Sequence, residues 1–400
     1  MELGIRAGRL ITPGEDLCDM FVGIEGGRIR LIEPFRKRHR PLVEKFINAR
    51  KEIVAPGFVD LQVNGGLGYN FRNSDPAQRR TVYQFFLRRG TTTLVPTVIT
   101  NAPAALTNAL AALVEDVGGG DPALPEIPGL HLEGPFLNPE RRGAHPLEHL
   151  RLPDLDLARD LFKAAAKRMA IVTLAPELEG ADRLVRWFSK RGVIVAAGHT
   201  TAPCEVILRA CDEGLRLLTH MGNVSDWPYR RKDASGIFRS EPGAVGAFMI
   251  SERLRGTVIL DGHHLDARLA AALARLRGPG NLAIISDAGY PTGCPPGEYD
   301  DGLIRTTVHP DGYAYATGGG GWLAGSVVTL ARAVQVAVQE GGIPLCDAVA
   351  MASLTPATIL GIADRKGKIA MGFEADLVVL DQRLTITRVI RAGRELPRET

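Results

Sequence analysis

Between residues 58 and 287 the chain repeats one pattern eight times, and this repetition limits the possible folds more than any other feature. Apolar runs of strand length occupy 58–64, 92–100, 127–133, 171–177, 193–198, 216–221, 256–261 and 281–287. Most are followed by a stretch with helical spacing of apolar residues, among them "PAQRRTVYQFFLRRG", "APAALTNALAALVED", "LARDLFKAAAKRM", "ADRLVRWFSKRG" and "PCEVILRACDEG". Near-continuous apolar strands alternating with helices are the mark of a parallel sheet covered on its faces. Eight such units predict an α/β fold, a (β/α)8 TIM-like barrel. A doubly wound open sheet has the same periodicity and remains the alternative. A last helix, "GSVVTLARAVQVAVQEGG", comes only after an excursion over 290–323 rich in Gly and Pro.

The two ends of the chain have a different texture. Near the start, "IRAGRLI", "MFVGIEGG" and "RIRLIEP" are short strand-like pieces broken by turns; near the end, "DLVVLD" and "ITRVIRAG" repeat the style. Neither set is large enough to hold a core alone. The economical arrangement is one small composite β-sandwich from 1–54 plus 366–400, with the barrel over 55–365.

Composition narrows the function classes. A formal charge of +3 over 400 residues is too small to suggest nucleic acid as a partner. The densest basic stretch, "RKRHR" at 36–40, reads as a solvated loop. Five scattered cysteines without C-x-x-C spacing argue against a disulfide framework and for a reducing compartment. The first residues lack the apolar core of a signal peptide, and no window approaches a membrane span. The expectation is a soluble cytoplasmic protein with no membrane partner.

Chemistry gathers at the strand ends. The third strand ends in Glu133, the fifth in His199, the sixth in His220 and the eighth in Asp287. Any one of them alone reads as a core histidine, a helix cap or a loop solvator. In a barrel, however, these four ends converge on one face, and the chain has only nine histidines. Glu133, His199 and His220 form a donor set suited to one divalent metal ion, Zn²⁺ first, with Fe²⁺, Co²⁺ and Mn²⁺ as alternatives. Asp287 would be the general base and acid of a metal-assisted hydrolysis.

The segments "APGFVDLQVNGG", "GLHLEGPFLNPERRGAH", "AAGHTTA", "THMGNV", "DGHH" and "ISDAG", in that order, resemble the N-acetylglucosamine-6-phosphate deacetylases of the amidohydrolase superfamily. The resemblance covers nearly the whole chain, and "GLHLEGPFLNPERRGAH" is its most specific piece. It implies removal of acetate from a phosphorylated amino sugar by a homodimer, with Glu133, His199 and His220 as metal ligands and Asp287 as acid–base. It implies that His145, catalytic together with Asp287, meets the substrate near the reacting carbonyl, and that Ala144 also binds substrate. Asn223 and Val224 would hold the sugar phosphate, His264 would be another substrate-binding histidine, and Leu323 and Gly325 would line the sugar site. Many superfamily members carry His-x-His on the first strand; here Gln62 and Asn64 stand there, which matches members working with one metal. Around 224–240 this chain departs from the family pattern: it is longer, and Arg239 aligns best with a phosphate-binding arginine, with Arg230 and Arg231 as rivals. N-acetylgalactosamine 6-phosphate or another N-acyl compound stays open as substrate. Another, dinuclear amidohydrolase and a non-catalytic barrel subunit are the rival classes; the first lacks its His-x-His, the second should have lost these ligands.

Overall fold

The computed structural model describes residues 1–225, 229–232, 238–318 and 320–397. Its centre is a sheet of eight strands: Phe58–Val63, Thr91–Ile99, Leu130–Glu133, Met169–Leu174, Ile194–Ala197, Leu215–Leu218, Arg255–Ile259 and Leu282–Ile285. They neighbour one another in that order, and the ladders are parallel throughout. The first and last strands meet through a bridge between Val63 and Ala288, so the sheet closes on itself as a barrel. All eight predicted strands are present, and the open-sheet alternative falls.

Alternate residues of these strands face two different cores. Leu61, Ile171, Ala196, Leu217, Ile259 and Ile285 fill the barrel interior. Their neighbours, such as Val172, Val195, Leu218 and Ile284, pack outward against the helices. Burying side chains of this size stabilises by roughly 1.5–3 kcal/mol each. The helices begin where the sequence supplies caps: Pro76–Arg88 starts behind Asp75, which accepts from the Gln78 N–H while Gln78 returns the bond.

Strands from both ends of the chain form one seven-stranded sheet. Its order runs Arg394–Glu395, Ile386–Arg391, Leu377–Leu380, Lys45–Pro56, Leu3–Thr12, Glu15–Glu25, Arg28–Pro34. Its pairings are antiparallel except between Leu3–Thr12 and Lys45–Pro56. The sheet curls around its own core of Ile5, Leu10, Val22, Ile24, Val54 and Val379, and Arg28 at its far edge bridges to Glu374. In the basic run at 36–40 the four Arg and Lys residues are exposed, as the reading of a solvated stretch expects, and the run differs from a loop only in its turn and its histidine. Residues Lys37–Leu42 make a 3-10 turn that buries His39 against Phe21, with ring centroids 4.6 Å apart.

An ionic network joins this sheet to the end of the barrel where the strands begin. Arg365 reaches Glu126 at 2.5 Å and Glu374 at 2.8 Å. Lys366, only 2% exposed, reaches Glu374 at 2.8 Å, Glu126 at 3.2 Å and also Asp376. Arg391 completes it at 3.0 Å from Asp376. At the opposite end, the excursion at 290–323 folds into a three-stranded antiparallel sheet, Gly297–Asp300, Arg305–Val308 and Ala314–Ala316, beside the barrel mouth.

Candidate active site

The strand ends turn their functional side chains into the mouth by leaving the pleat. His199, His220 and Asp287 have φ values of 50°, 30° and 48°. Residues with a Cβ pay on the order of 1–3 kcal/mol for this region, which persists where the surroundings enforce it. Close packing beside His199 requires a glycine: a Cβ on Gly198 would lie 2.7 Å from Thr173 Cγ2 and 2.9 Å from Thr219 Cβ.

These turns surround Glu133, which is 3% exposed. Its Oε1 lies 2.9 Å from His220 Nε2 and 3.2 Å from His199 Nε2, and its Oε2 lies 3.8 Å from His145 Nε2. Burial would raise this carboxyl, but the facing imidazoles of His199 and His220 hold it well below the usual range. The reciprocal effect on His220 overcomes burial and raises its imidazole. Burial, then the neighbouring His199, pushes His145 down to about 3, so its ring is neutral.

The donor set fits a divalent cation on tautomer grounds. His199 Nδ1 lies 2.8 Å from the carbonyl oxygen of Arg141, which can only accept, so Nδ1 carries a proton. A neutral ring then aims the lone pair of Nε2 at the Glu133 carboxylate, acceptor against acceptor. The contact is favourable only with a second proton or a cation between them, and donation to a backbone carbonyl is what orients metal-binding histidines. Proximity alone groups Glu133, His145 and His199, whose donor atoms lie within 4.8 Å of one another. His220 stands nearer to the carboxylate than His145 does, whereas His145 Nδ1 is engaged by the Thr100 hydroxyl at 2.9 Å.

Asp287 faces this cluster across the same cavity. Its Oδ1 accepts from Gln62 Nε2 at 2.9 Å and from Asn64 Nδ2 at 2.8 Å. Burial, then the charge of Glu133, raises its carboxyl to about 6. Gln62 and Asn64 are thus both engaged as donors to the Asp287 carboxylate.

Ala144, His145, Asn223, Val224, His264, Leu323 and Gly325, the described substrate residues read from the sequence, line this cavity. His264 Nδ1 is held 2.6 Å from Asp261, whose carboxyl is buried yet drawn to about 2 by that imidazole. Arg239, with Arg230 and Arg231, falls on a two-stranded ladder, Tyr229–Lys232 with Phe238–Glu241, that pairs Arg231 with Arg239. The side chains of these three arginines lie outside the described residues. Sequence reasoning missed Thr100 behind His145, Asp261 behind His264, and the Arg72–Asp301 ion pair at 2.8 Å. Arg72 is the only Lys or Arg among the described residues that line the cavity. "DGHH" could have yielded Asp261, an acid three residues before the ring it holds. The other partners are joined only by the fold.

Comparison with known proteins agrees with this architecture. Residues 300–396 match the model of the amidohydrolase family. A human N-acetylglucosamine-6-phosphate deacetylase is 32% identical over 97% of this chain and 92% of its own. An Escherichia coli O157:H7 N-acetylgalactosamine-6-phosphate deacetylase is 30% identical over 98% of both. The structure of N-acetyl-D-glucosamine-6-phosphate deacetylase from Mycobacterium smegmatis, a variant in complex with N-acetyl-D-glucosamine-6-phosphate, superposes with a TM-score of 0.88 at 30% identity, covering 98% of each chain.

Proposed function

Because this chain belongs to the family of N-acetylglucosamine-6-phosphate deacetylases, we propose that it hydrolyses the acetamide of N-acetylglucosamine 6-phosphate to glucosamine 6-phosphate and acetate. The observation that carries the reading is the buried Glu133–His199–His220 cluster facing Asp287 across one cavity.

Glu133, His199 and His220 would hold one divalent ion, Zn²⁺ by the mixture of nitrogen and carboxylate donors. Such an ion supplies a Lewis acid that polarises the amide carbonyl and acidifies water. Asp287 takes a proton from the attacking water and returns it to the leaving nitrogen. With its carboxyl raised to about 6, it is mostly ionised at neutral pH yet not far from protonation, as both halves of that task require. Neutral His145, its Nδ1 engaged by Thr100, turns Nε2 toward the carbonyl side of the cavity. Asn223 and Val224 hold the sugar phosphate, Arg239 adds a guanidinium to it, His264 is another substrate-binding histidine, and Leu323 and Gly325 border the sugar. The working form is a cytoplasmic homodimer; among the described residues no helix is long and apolar enough to cross a membrane.

The likeness to an N-acetylgalactosamine-6-phosphate deacetylase over 98% of both chains favours a second substrate, the epimeric sugar phosphate. One experiment separates these readings: acetate release by metal-quantified protein from the two sugar phosphates and from unphosphorylated N-acetylglucosamine. Faster release from N-acetylglucosamine 6-phosphate than from the other two is expected. Equal release from the unphosphorylated sugar would remove the phosphate clamp, and a preference for the galacto epimer would exchange the substrate.

A further inference from the structure

The motif "APGFVD" ends in Asp60, which has no part in the chemistry above although it is completely buried. It sits where the barrel lacks a continuous ladder, between the first strand and the last. Asp60 Oδ1 spans that seam, accepting from the Ser286 N–H at 3.1 Å and from the Gln62 N–H at 3.3 Å. Both residues adjoin the catalytic carboxylate: Ser286 precedes Asp287, and the Gln62 side chain donates to it at 2.9 Å.

The rest of the seam is built from two serines that are also completely buried. Ser286 Oγ donates to the Gln62 carbonyl at 3.3 Å and accepts from the Ala288 N–H at 3.2 Å. The Asp287 N–H shares the same Gln62 carbonyl at 3.0 Å. From the other side, Ser326 Oγ donates to the Ser286 carbonyl at 2.6 Å, and the Ser326 N–H donates to the Asp287 carbonyl at 2.8 Å. The N–H groups of residues 286, 287 and 288 and the carbonyls of 286 and 287 therefore all have a partner in this seam.

We infer that Asp60, together with Ser286 and Ser326, is a positioning element that fixes the backbone of Asp287 and thereby the aim of its carboxylate. The inference rests on the reading of Asp287 as acid–base. An aspartate tolerates φ 48° better than most residues but is not fixed there by preference, and the backbone pairing at this strand end is reduced to isolated bridges at Ala288 and single bonds at Asp287. The side chains of Asp60, Ser286 and Ser326 add bonds to that sparse backbone pairing, at the N–H and carbonyl of residue 286 and the N–H of 288. A displacement of about 1 Å in such a group costs on the order of a hundredfold in rate.

A bolt that merely closes the barrel would make a different prediction, since its loss would lower stability while the folded enzyme turned over normally. The test uses the metal-loaded full chain with Asp60→Ala, Asp60→Asn and Ser326→Ala, and Asp287→Asn as reference. Asp60→Ala should lower kcat by roughly ten- to a hundredfold with KM and metal content near wild type. Asp60→Asn keeps an oxygen able to accept from both N–H groups and should restore most of that rate. Ser326→Ala, the milder lesion should Asp60→Ala fail to fold, should lower kcat in the same KM-silent way. Normal kcat in Asp60→Ala or, should that variant not fold, in Ser326→Ala, or an asparagine no better than alanine, would overturn the inference. If Asp287→Asn itself turns over normally, the acid–base reading fails and this inference with it; an inactive Asp287→Asn beside a normal Asp60→Ala removes the inference alone.

Discussion

Two polar clusters, one partly and one fully buried, occupy opposite ends of the same barrel, and they are built on opposite principles. Where the strands begin, Arg365, Lys366 and Arg391 are set against Glu126, Glu374 and Asp376, three cations to three anions in mutual contact. Where the strands end, Asp60, Glu133 and Asp287 are buried, and among the described residues no Lys or Arg pairs with any of them. Burial leaves its mark accordingly. Glu126 is drawn down to about 2 because Arg365 and Lys366 outweigh its desolvation, whereas Asp60 and Asp287 are pushed up to about 7 and about 6. A matched cluster is complete in itself and serves the joint between barrel and terminal sheet. An unmatched one keeps capacity for a cation and a proton, which is what a hydrolytic site needs.

The contrast predicts that damage at one end should spare what the other end provides. Asp287→Asn keeps an oxygen for Gln62 and Asn64 but cannot act as a base, so kcat should fall by about 10²–10⁴ with metal retained. Its thermal midpoint should match or exceed wild type, because a carboxylate repelled by Glu133 is gone; a large loss of stability would break the comparison. Lys366→Met is the converse. Three carboxylates lose a shared cation, for an expected cost of about 3–5 kcal/mol in urea unfolding, while kcat of the folded enzyme stays within about twofold.

The smallest effect concerns acid. Glu126 is held at about 2 when folded, against roughly 4.3 in an unfolded chain. Its contribution is therefore complete above about pH 4.3 and is lost progressively as pH falls from there toward 2. Glu126→Gln should be less stable than wild type at pH 6, and the gap should narrow through that acid window. A gap that does not change with pH would mean the charge of Glu126 has no share in the joint.

The chain displays one of these ends far more openly than the other. Barrel strands announce themselves by apolar runs, and their functional termini by the glycine that follows or precedes the turn, as in "HLEGP", "AAGHT" and "SDAG". Glu133, His199, His220 and Asp287 were legible because strand polarity alone sends them to one face. What escaped was pairing at a distance. Thr100 meets His145 across 45 residues, and the strand of 297–300 needs that of 305–308 before either looks like one. The ionic joint was equally hidden: Glu126 reads as an ordinary loop acid until Arg365 and Lys366, 239 and 240 positions later, fold onto it.

The terminal sheet also has a history in time. Lys45–Pro56 pairs along one edge with Leu3–Thr12, made just before it, and along the other with Leu377–Leu380, made about 320 residues later. At about 5–20 residues per second of translation, that second edge stays open for roughly 15–60 s. During this interval a row of unpaired backbone donors and acceptors, flanked by Ile53 and Val54, is exposed to other strands. That open edge of Lys45–Pro56 is an aggregation risk for the nascent chain, and it ends only when Leu377–Leu380 has been made and pairs with it.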